Sequence, residues 1–294
     1  MKRTARIFLC LVVGLVAFGI VGSYLGRWFP IGDSFAAFRW ELSLLIAVMA
    51  LFVWRLGLAR IALACVAMAM AAGGPILWSM RASNDVGTIR LYQKNIWVWN
   101  EAWADVLADI RETDADLVTL QEVHRRHRPL KVALRESHPA WIECGGGVQL
   151  YSRLEMIPGT AGCGPDGNLP AAFMQVDGPD GPFWVVSIHL SWPWPYPQAE
   201  HAGAIAGLIA NLEGPVVFAG DFNMTPWGHA VRQIAAAADA RRLGPLRRTH
   251  KLDDLPIMRL RIAHVYVPED WAGRVEGRAR LGSDHFGQLA QFSP

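Results

Sequence analysis

Histidine is missing from the first 123 residues of this 294-residue chain; all nine lie beyond them. Acidic groups are scarce in the first 80 residues, where only Asp33 and Glu41 face seven basic side chains. That stretch has little with which to do acid–base or metal chemistry. Residues 81–294 lack the opposite sign: 21 basic and 24 acidic groups leave them at −3, although the whole chain is +2. No general positive field is there to draw in nucleic acid. The four cysteines show no metal-site spacing, which argues against zinc. No internal repeat and no low-complexity linker is present, which excludes solenoids and arrays.

What the N-terminal part does contain is apolar runs. Residues 7–26 carry no charge, enough for a helix to cross about 30 Å of hydrocarbon. Residues 61–78 form a second, slightly shorter run, and Leu42 to Trp54 a third. The third spans only if extended back to Phe35, which requires Arg39 and Glu41 to be buried or to snorkel. A cleaved signal peptide is disfavoured, because no small-residue cleavage site clearly follows the first run and two more apolar runs do. The expectation is a membrane anchor over 1–80 with three spans, at about 7–26, 35–54 and 61–78; two spans with a re-entrant or core helix is the alternative. Lys2, Arg3 and Arg6 precede the first span, and Arg55 and Arg60 link the second to the third. The positive-inside rule puts both groups in the cytoplasm and residues 81–294 outside the cell membrane, in the periplasm if there is one. There, Cys144 and Cys163, flanking an expected strand, can pair.

Residues 85–294 alternate short apolar runs with helical patterns, which argues an α/β domain. Strands are expected at 88–95, 115–122, 147–153, 171–176, 182–190, 215–223, 261–267 and 286–292. Asn100 is placed to cap a helix through Ile110, and Thr225 with Pro226 to open another. Strands outnumber helices, so two packed sheets with helices outside are favoured over one doubly wound sheet.

Polar residues collect where these strands end. Asn95, Glu122 and His189 each close an apolar run, Asp221 and Asn223 close a fourth, and Asp284 and His285 precede the last. Residues i and i+2 of an extended chain share a face, so Asp221 and Asn223 can look into one cleft. Carboxylates and amides suit a hard cation such as Mg²⁺, and phosphoester cleavage needs a metal, a water and a base.

In order, "QKN", "LQE", "SIHL", "GDFN" followed by "TPW", and "GSDH" resemble the endonuclease/exonuclease/phosphatase superfamily over about residues 86–294. The resemblance implies a four-layered α/β sandwich of two mixed sheets. It implies Glu122 as main metal ligand with Asn95 and Asp284 assisting, and Mg²⁺ or Mn²⁺ as cofactor. Asp221 would position or activate water, and Asn223 hold a phosphate oxygen. His285 would be general base or phosphate-stabilising cation, and His189 a donor to the phosphate. One position departs from the pattern: Ala263 stands where an Asp usually orients the catalytic imidazole.

The expected activity is a membrane-tethered, metal-dependent hydrolysis of phosphodiesters, or of phosphomonoesters, by water. A nucleic-acid substrate is slightly favoured by the family, by the aromatics of "SWPWPYP" (191–197) and by basic clusters at 124–131 and 241–248. A phospholipid or small phosphodiester is the alternative, favoured by the anchor and the acidic domain. A catalytically impaired binding or scaffold domain is the alternative of another class, supported by Ala263. The lipid bilayer is the other expected partner; no protein partner is inferred. "CGGGVQ" (144–149) lacks a full dinucleotide fingerprint and reads as a turn into a strand.

Overall fold

The computed structural model describes residues 2–81, 85–164, 169–251 and 259–294. Four helices come first: α1 (Lys2–Gly22), α2 (Ile31–Ala37), α3 (Arg39–Arg55) and α4 (Ala59–Trp78). Then follow β1 (Ile89–Asn95), α5 (Trp103–Thr113), β2 (Leu117–Gln121), α6 (Arg128–Ser137), β3 (Ala140–Cys144), β4 (Val148–Ser152), β5 (Ala171–Gly178) and β6 (Gly181–His189). The chain continues through α7 (Gln198–Ile209), β7 (Val216–Asp221), α8 (His229–Ala237), β8 (Ala240–Arg242), β9 (His250–Lys251), β10 (Arg259–Leu260), β11 (Ala263–Pro268), β12 (Ala272–Gly277) and β13 (Gln288–Ser293).

Two sheets stack face to face, in the orders β12-β13-β1-β2-β4-β3 and β5-β6-β7-β11-β8. Both are mixed: β1–β2 and β6–β7 are parallel, and the remaining pairings in them antiparallel. Leu91, Leu117, Val185 and Val217 meet in the core between the sheets. Val106 and Ile110 of α5, with Leu130 and Leu134 of α6, cover the first sheet. Ile205 and Ile209 of α7, with Val231 and Ile234 of α8, cover the second. Central strands are thus buried on both faces, which is why β7 opens as an apolar run, Val216 to Ala219, rather than an alternating one. This is the expected four-layered sandwich.

Helices α1 and α4 are each long and apolar enough to cross a membrane. The expected span over 35–54 is not one straight helix, because α2 and α3 meet at a 65° bend; only together do they pass as a third span. The break follows from what α2 does. Ala36 and Ala37 are buried in the core beneath α7 and α8. The Ala36 carbonyl accepts from Trp227 Nε1 at 2.6 Å and Thr225 Oγ1 at 3.3 Å. Asp33 accepts from the backbone N–H of His229 at 2.7 Å and of Ala230 at 2.9 Å. A carboxylate 196 residues away in sequence therefore caps α8. Thr225, the expected cap, bonds elsewhere, and the helix starts only after Gly228.

The charges expected inside a span find polar or aromatic partners at this junction. Arg39 Nε donates to Ser23 Oγ at 2.8 Å and its guanidinium lies over Tyr24; Glu41 lies 3.8 Å from Arg261. At the far end of the helices Arg6 donates to the Leu56 carbonyl at 2.7 Å. Cys144 and Cys163 form a disulfide with their Cα atoms 5.4 Å apart. The basic stretch 124–131 is not a plain loop: Pro129 opens α6, whose Lys131 and Arg135 pair with Glu143.

Candidate active site

Strand direction sets the site. Because β1 and β2 run parallel, Asn95 and Gln121 end in register, and Glu122 follows at once. Because β6 and β7 run parallel, His189 and Asp221 end side by side. The turn before β13 brings Asp284 and His285 to the same rim. The approach is close: a Cβ on Gly147 would fall 2.7 Å from the backbone of Val123, beside Glu122, and Gly147 has φ +73°. Glu122 and Asn223 are themselves left-handed, at φ 58° and 45°. Non-glycine residues hold such angles where the surroundings fix them, often at functional sites.

Five of the expected residues form one connected group. Asn95 Nδ2 donates to Glu122 Oε1 at 2.8 Å and to Asp221 Oδ2 at 3.0 Å. His189 Nε2 lies 3.8 Å from Glu122 Oε1 and 3.9 Å from Asp221 Oδ2. His285 Nε2 lies 3.4 Å from Asp221 Oδ2. Asp221 is fully buried, and its other oxygen accepts from the Asn223 N–H at 2.9 Å. Glu122 Oε2 accepts from the Val98 N–H at 3.2 Å.

Asn95 differs from its expected part as an oxygen ligand. Its Oδ1 accepts from the Trp97 N–H at 2.9 Å while its amide nitrogen faces the two carboxylates. Joining two carboxylates takes a donor, and the amide turns accordingly. Asn223 likewise spends one donor on the Leu190 carbonyl, at 2.8 Å.

Asp284 reaches the group through a residue that the sequence reading missed. His250 Nε2 lies 3.5 Å from Asp284 Oδ2, and its ring stands edge-on to His285 with centroids 4.5 Å apart. An isolated bridge pairs the two histidine backbones. Ligand atoms of His250, Asp284 and His285 lie within 4.8 Å of one another, close enough for a metal ion; Glu122 is not in that trio. His250 sits in a two-residue strand with no apolar pattern around it, so the sequence carries no local signal for it.

The electrostatics follow from burial. Burial lowers the pKa of His285 below the ordinary imidazole value, against the pull of Asp221. Burial opposes the charge on Asp284, but the His250 hydrogen bond and the field of His285 outweigh it and hold the carboxyl low. Burial takes Lys94 down to about 7; its Nζ donates to the carbonyls of Ala279 at 3.0 Å and His285 at 3.1 Å.

Ala263 is fully buried and opposite Asp221 in register. Its N–H donates to Thr249 Oγ1 at 2.9 Å, and the Thr249 carbonyl accepts from Phe286, next to His285. Among the described residues, His285 Nδ1 has no hydrogen-bond partner although it is buried.

Three of the basic residues expected near a phosphate chain are engaged in structure. Arg241 donates to the carbonyls of Trp271 and Glu269, Arg242 to those of Leu243 and Ser79, and Arg247 to that of Val275.

A family model described as "Endonuclease/Exonuclease/phosphatase family" matches residues 95–285, from the first site residue to the last. The chain belongs to this family. Endonuclease/exonuclease/phosphatase proteins are hydrolases of phosphoester bonds and generally use divalent metal ions. Solved structures share the fold at low identity. The family member from Bacteroides vulgatus is 19% identical with a TM-score of 0.57, over 70% of this chain and 98% of that one. D. rerio TDP2 complexed with a single-strand DNA product is 14% identical with a TM-score of 0.56, over 70% and 99%. The human Nocturnin catalytic domain with bound sulfate is 17% identical with a TM-score of 0.54, over 70% and 94%. No curated protein matches this chain in sequence.

Proposed function

We propose that the chain is a membrane-tethered, divalent-metal-dependent phosphoesterase in which water attacks the phosphorus. One observation carries the reading: four separate segments bring His189 to 3.8 Å from Glu122 and 3.9 Å from Asp221, and His285 to 3.4 Å from Asp221.

The donor set fits a hard cation. Both Glu122 and Asp284 are part-exposed carboxylates at the rim, and each Glu122 oxygen accepts a single hydrogen bond, which leaves lone pairs to spare. Glu122 and Asp284 would hold the ion, Asn95 fixing Glu122, and the ion when bound supplies positive charge to the phosphoryl oxygens. Asp221, held by Asn95 and the Asn223 N–H, orients a water and accepts its proton. His189 donates to a phosphoryl oxygen. His285, kept neutral by burial, takes a proton or shares one with Asp221.

The tether rests on α1, α4 and the bent pair α2–α3. Arg6 packs at Leu56, whereas Asp33 meets the domain at His229 and Ser79 meets it at Arg242. The basic residues at 3–6 and 55–60 therefore sit at the end away from the domain, which supports a domain outside the cytoplasmic face. Nucleic acid as substrate draws on the likeness to TDP2, whose structure holds a DNA product.

The test is metal-dependent turnover. Full-length protein stripped with EDTA should not cleave bis(p-nitrophenyl) phosphate, and added Mn²⁺ or Mg²⁺ should restore cleavage. Cleavage unaffected by EDTA would overturn the reading.

A further inference from the structure

A groove of about 370 Å³ opens beside the site, and three of its eight lining residues, Ser34, Ala37 and Phe38, come from the N-terminal segment. Ala37 and Phe38 line one side, and Trp192, Trp194, Tyr196 and Leu260 the other. Its lining holds no charged residue, and its size lies within the roughly 300–1,000 Å³ of small-molecule sites. The two walls are tied: Ser34 Oγ donates to the Trp194 carbonyl at 2.9 Å.

The groove runs into the catalytic rim. The ring of Trp192 stands edge-on to His250, with centroids 5.8 Å apart, and His250 abuts His285. Leu260 pairs with His250 across β9–β10. Both the groove wall and the ends of the apolar helices carry exposed aromatics. Trp28 and Phe29 before α2, Trp78 at the end of α4, and Trp194 and Tyr196 on the catalytic domain are all exposed. Exposed aromatics at the ends of apolar helices mark a membrane–water interface.

Resting on the phosphoesterase reading, we propose that the substrate is an amphiphilic phosphoester drawn from the membrane. Its hydrocarbon chain occupies this groove while its phosphate sits at Glu122, Asp221 and His285. Three features favour a lipid chain over a stacked nucleobase. The wall lacks the cations that a polynucleotide backbone needs. Arg241, Arg242 and Arg247 are held by backbone carbonyls elsewhere. The groove is also built in part by α2 and Phe38, which lie between α1 and α3, so a lipid chain can enter it from beside the apolar helices.

The test uses full-length protein in phosphatidylcholine nanodiscs with Mn²⁺ and a series of alkyl p-nitrophenyl phosphates from methyl to octyl. The readout is the octyl-to-methyl ratio of kcat/KM, because partition into the bilayer is the same for every variant. The ratio should fall at least fivefold in a Trp194→Ala/Tyr196→Ala double variant and in Phe38→Ala, but not in Trp99→Ala, an exposed tryptophan outside the groove. A dodecyl phosphonate with a diazirine at its chain end should label residues 34–38 and 192–196. Methyl ester cleavage with a ratio that the groove variants do not change would overturn this inference and leave the phosphoesterase reading standing. No cleavage of any member would overturn both. Displacement of the label from 192–196 by a single-stranded oligonucleotide would overturn it in favour of base stacking.

Discussion

His285 faces Asp221 at 3.4 Å through Nε2, while its Nδ1 is buried with no hydrogen-bond partner among the described residues. An imidazole anchored on one side keeps its tautomer and tilt less firmly than one held on both. The family resemblance places the orienting carboxylate at the position of Ala263, which lies opposite Asp221 in the sheet. Ala263→Asp should therefore preserve turnover or raise it, because the new carboxylate is expected to partner the unsatisfied Nδ1. Steady-state kinetics on bis(p-nitrophenyl) phosphate check this, with thermal unfolding as a fold control. A drop of tenfold or more in a folded variant would mean that residue 263 does not occupy the orienting position.

The Asp33 cap makes a second expectation. Replacing a capping Asp by Ala costs about 0.5–2 kcal/mol in general, and this one is buried and bonds two N–H groups of α8. Asp33→Ala should speed hydrogen exchange at His229 and Ala230 by about tenfold, with α5 and α6 unchanged. Unchanged exchange at α8 would show that the N-terminal segment does not hold the domain through this contact.

Acid stability gives a third. His264 is fully buried, bonds the Met224 carbonyl at 3.0 Å, and burial takes its pKa to about 3. Its folded pKa is below the unfolded value of about 6.5, so the unfolded chain binds the proton first. Its stabilising effect is complete above pH 6.5 and is lost as pH falls toward 3. At pH 5 the loss is about 2 kcal/mol, from about 1.5 pH units at 1.4 kcal/mol each. His138, also lowered by burial, acts in the same direction. The relevant quantity is thus the difference between wild type and His264→Phe. The wild-type melting temperature should fall more between pH 7 and pH 5 than that of the variant; parallel curves would contradict it.

Much of this was legible in the sequence because strand ends announce themselves. Apolar runs ending in His189 and Asp221 are what a strand buried on both faces looks like, and the polar residue marks its emergence at a rim. The relative direction of strands, and hence that these ends meet, came only with the family resemblance. His250 escaped notice because it acts from a two-residue strand through a partner 35 positions on. The role of α2 escaped because Ala36 and Ala37 are apolar whether they face lipid or α7 and α8. Thr225 looks like a helix cap in sequence, but competition for its hydroxyl from the Ala36 carbonyl is a tertiary fact. Asn95 showed its residue type, not which end of its amide faces the carboxylates.

The most direct measurement is the rate of bis(p-nitrophenyl) phosphate hydrolysis by EDTA-stripped full-length protein as Mn²⁺ is titrated, beside Glu122→Ala and His285→Ala. Loss of a key electrostatic or acid–base group costs on the order of a hundredfold. Cleavage should appear with the metal in wild type and fall by about that factor or more in each variant, with melting temperatures maintained. Wild-type rates in both variants would contradict the assignment of Glu122 and His285 to one metal-assisted site.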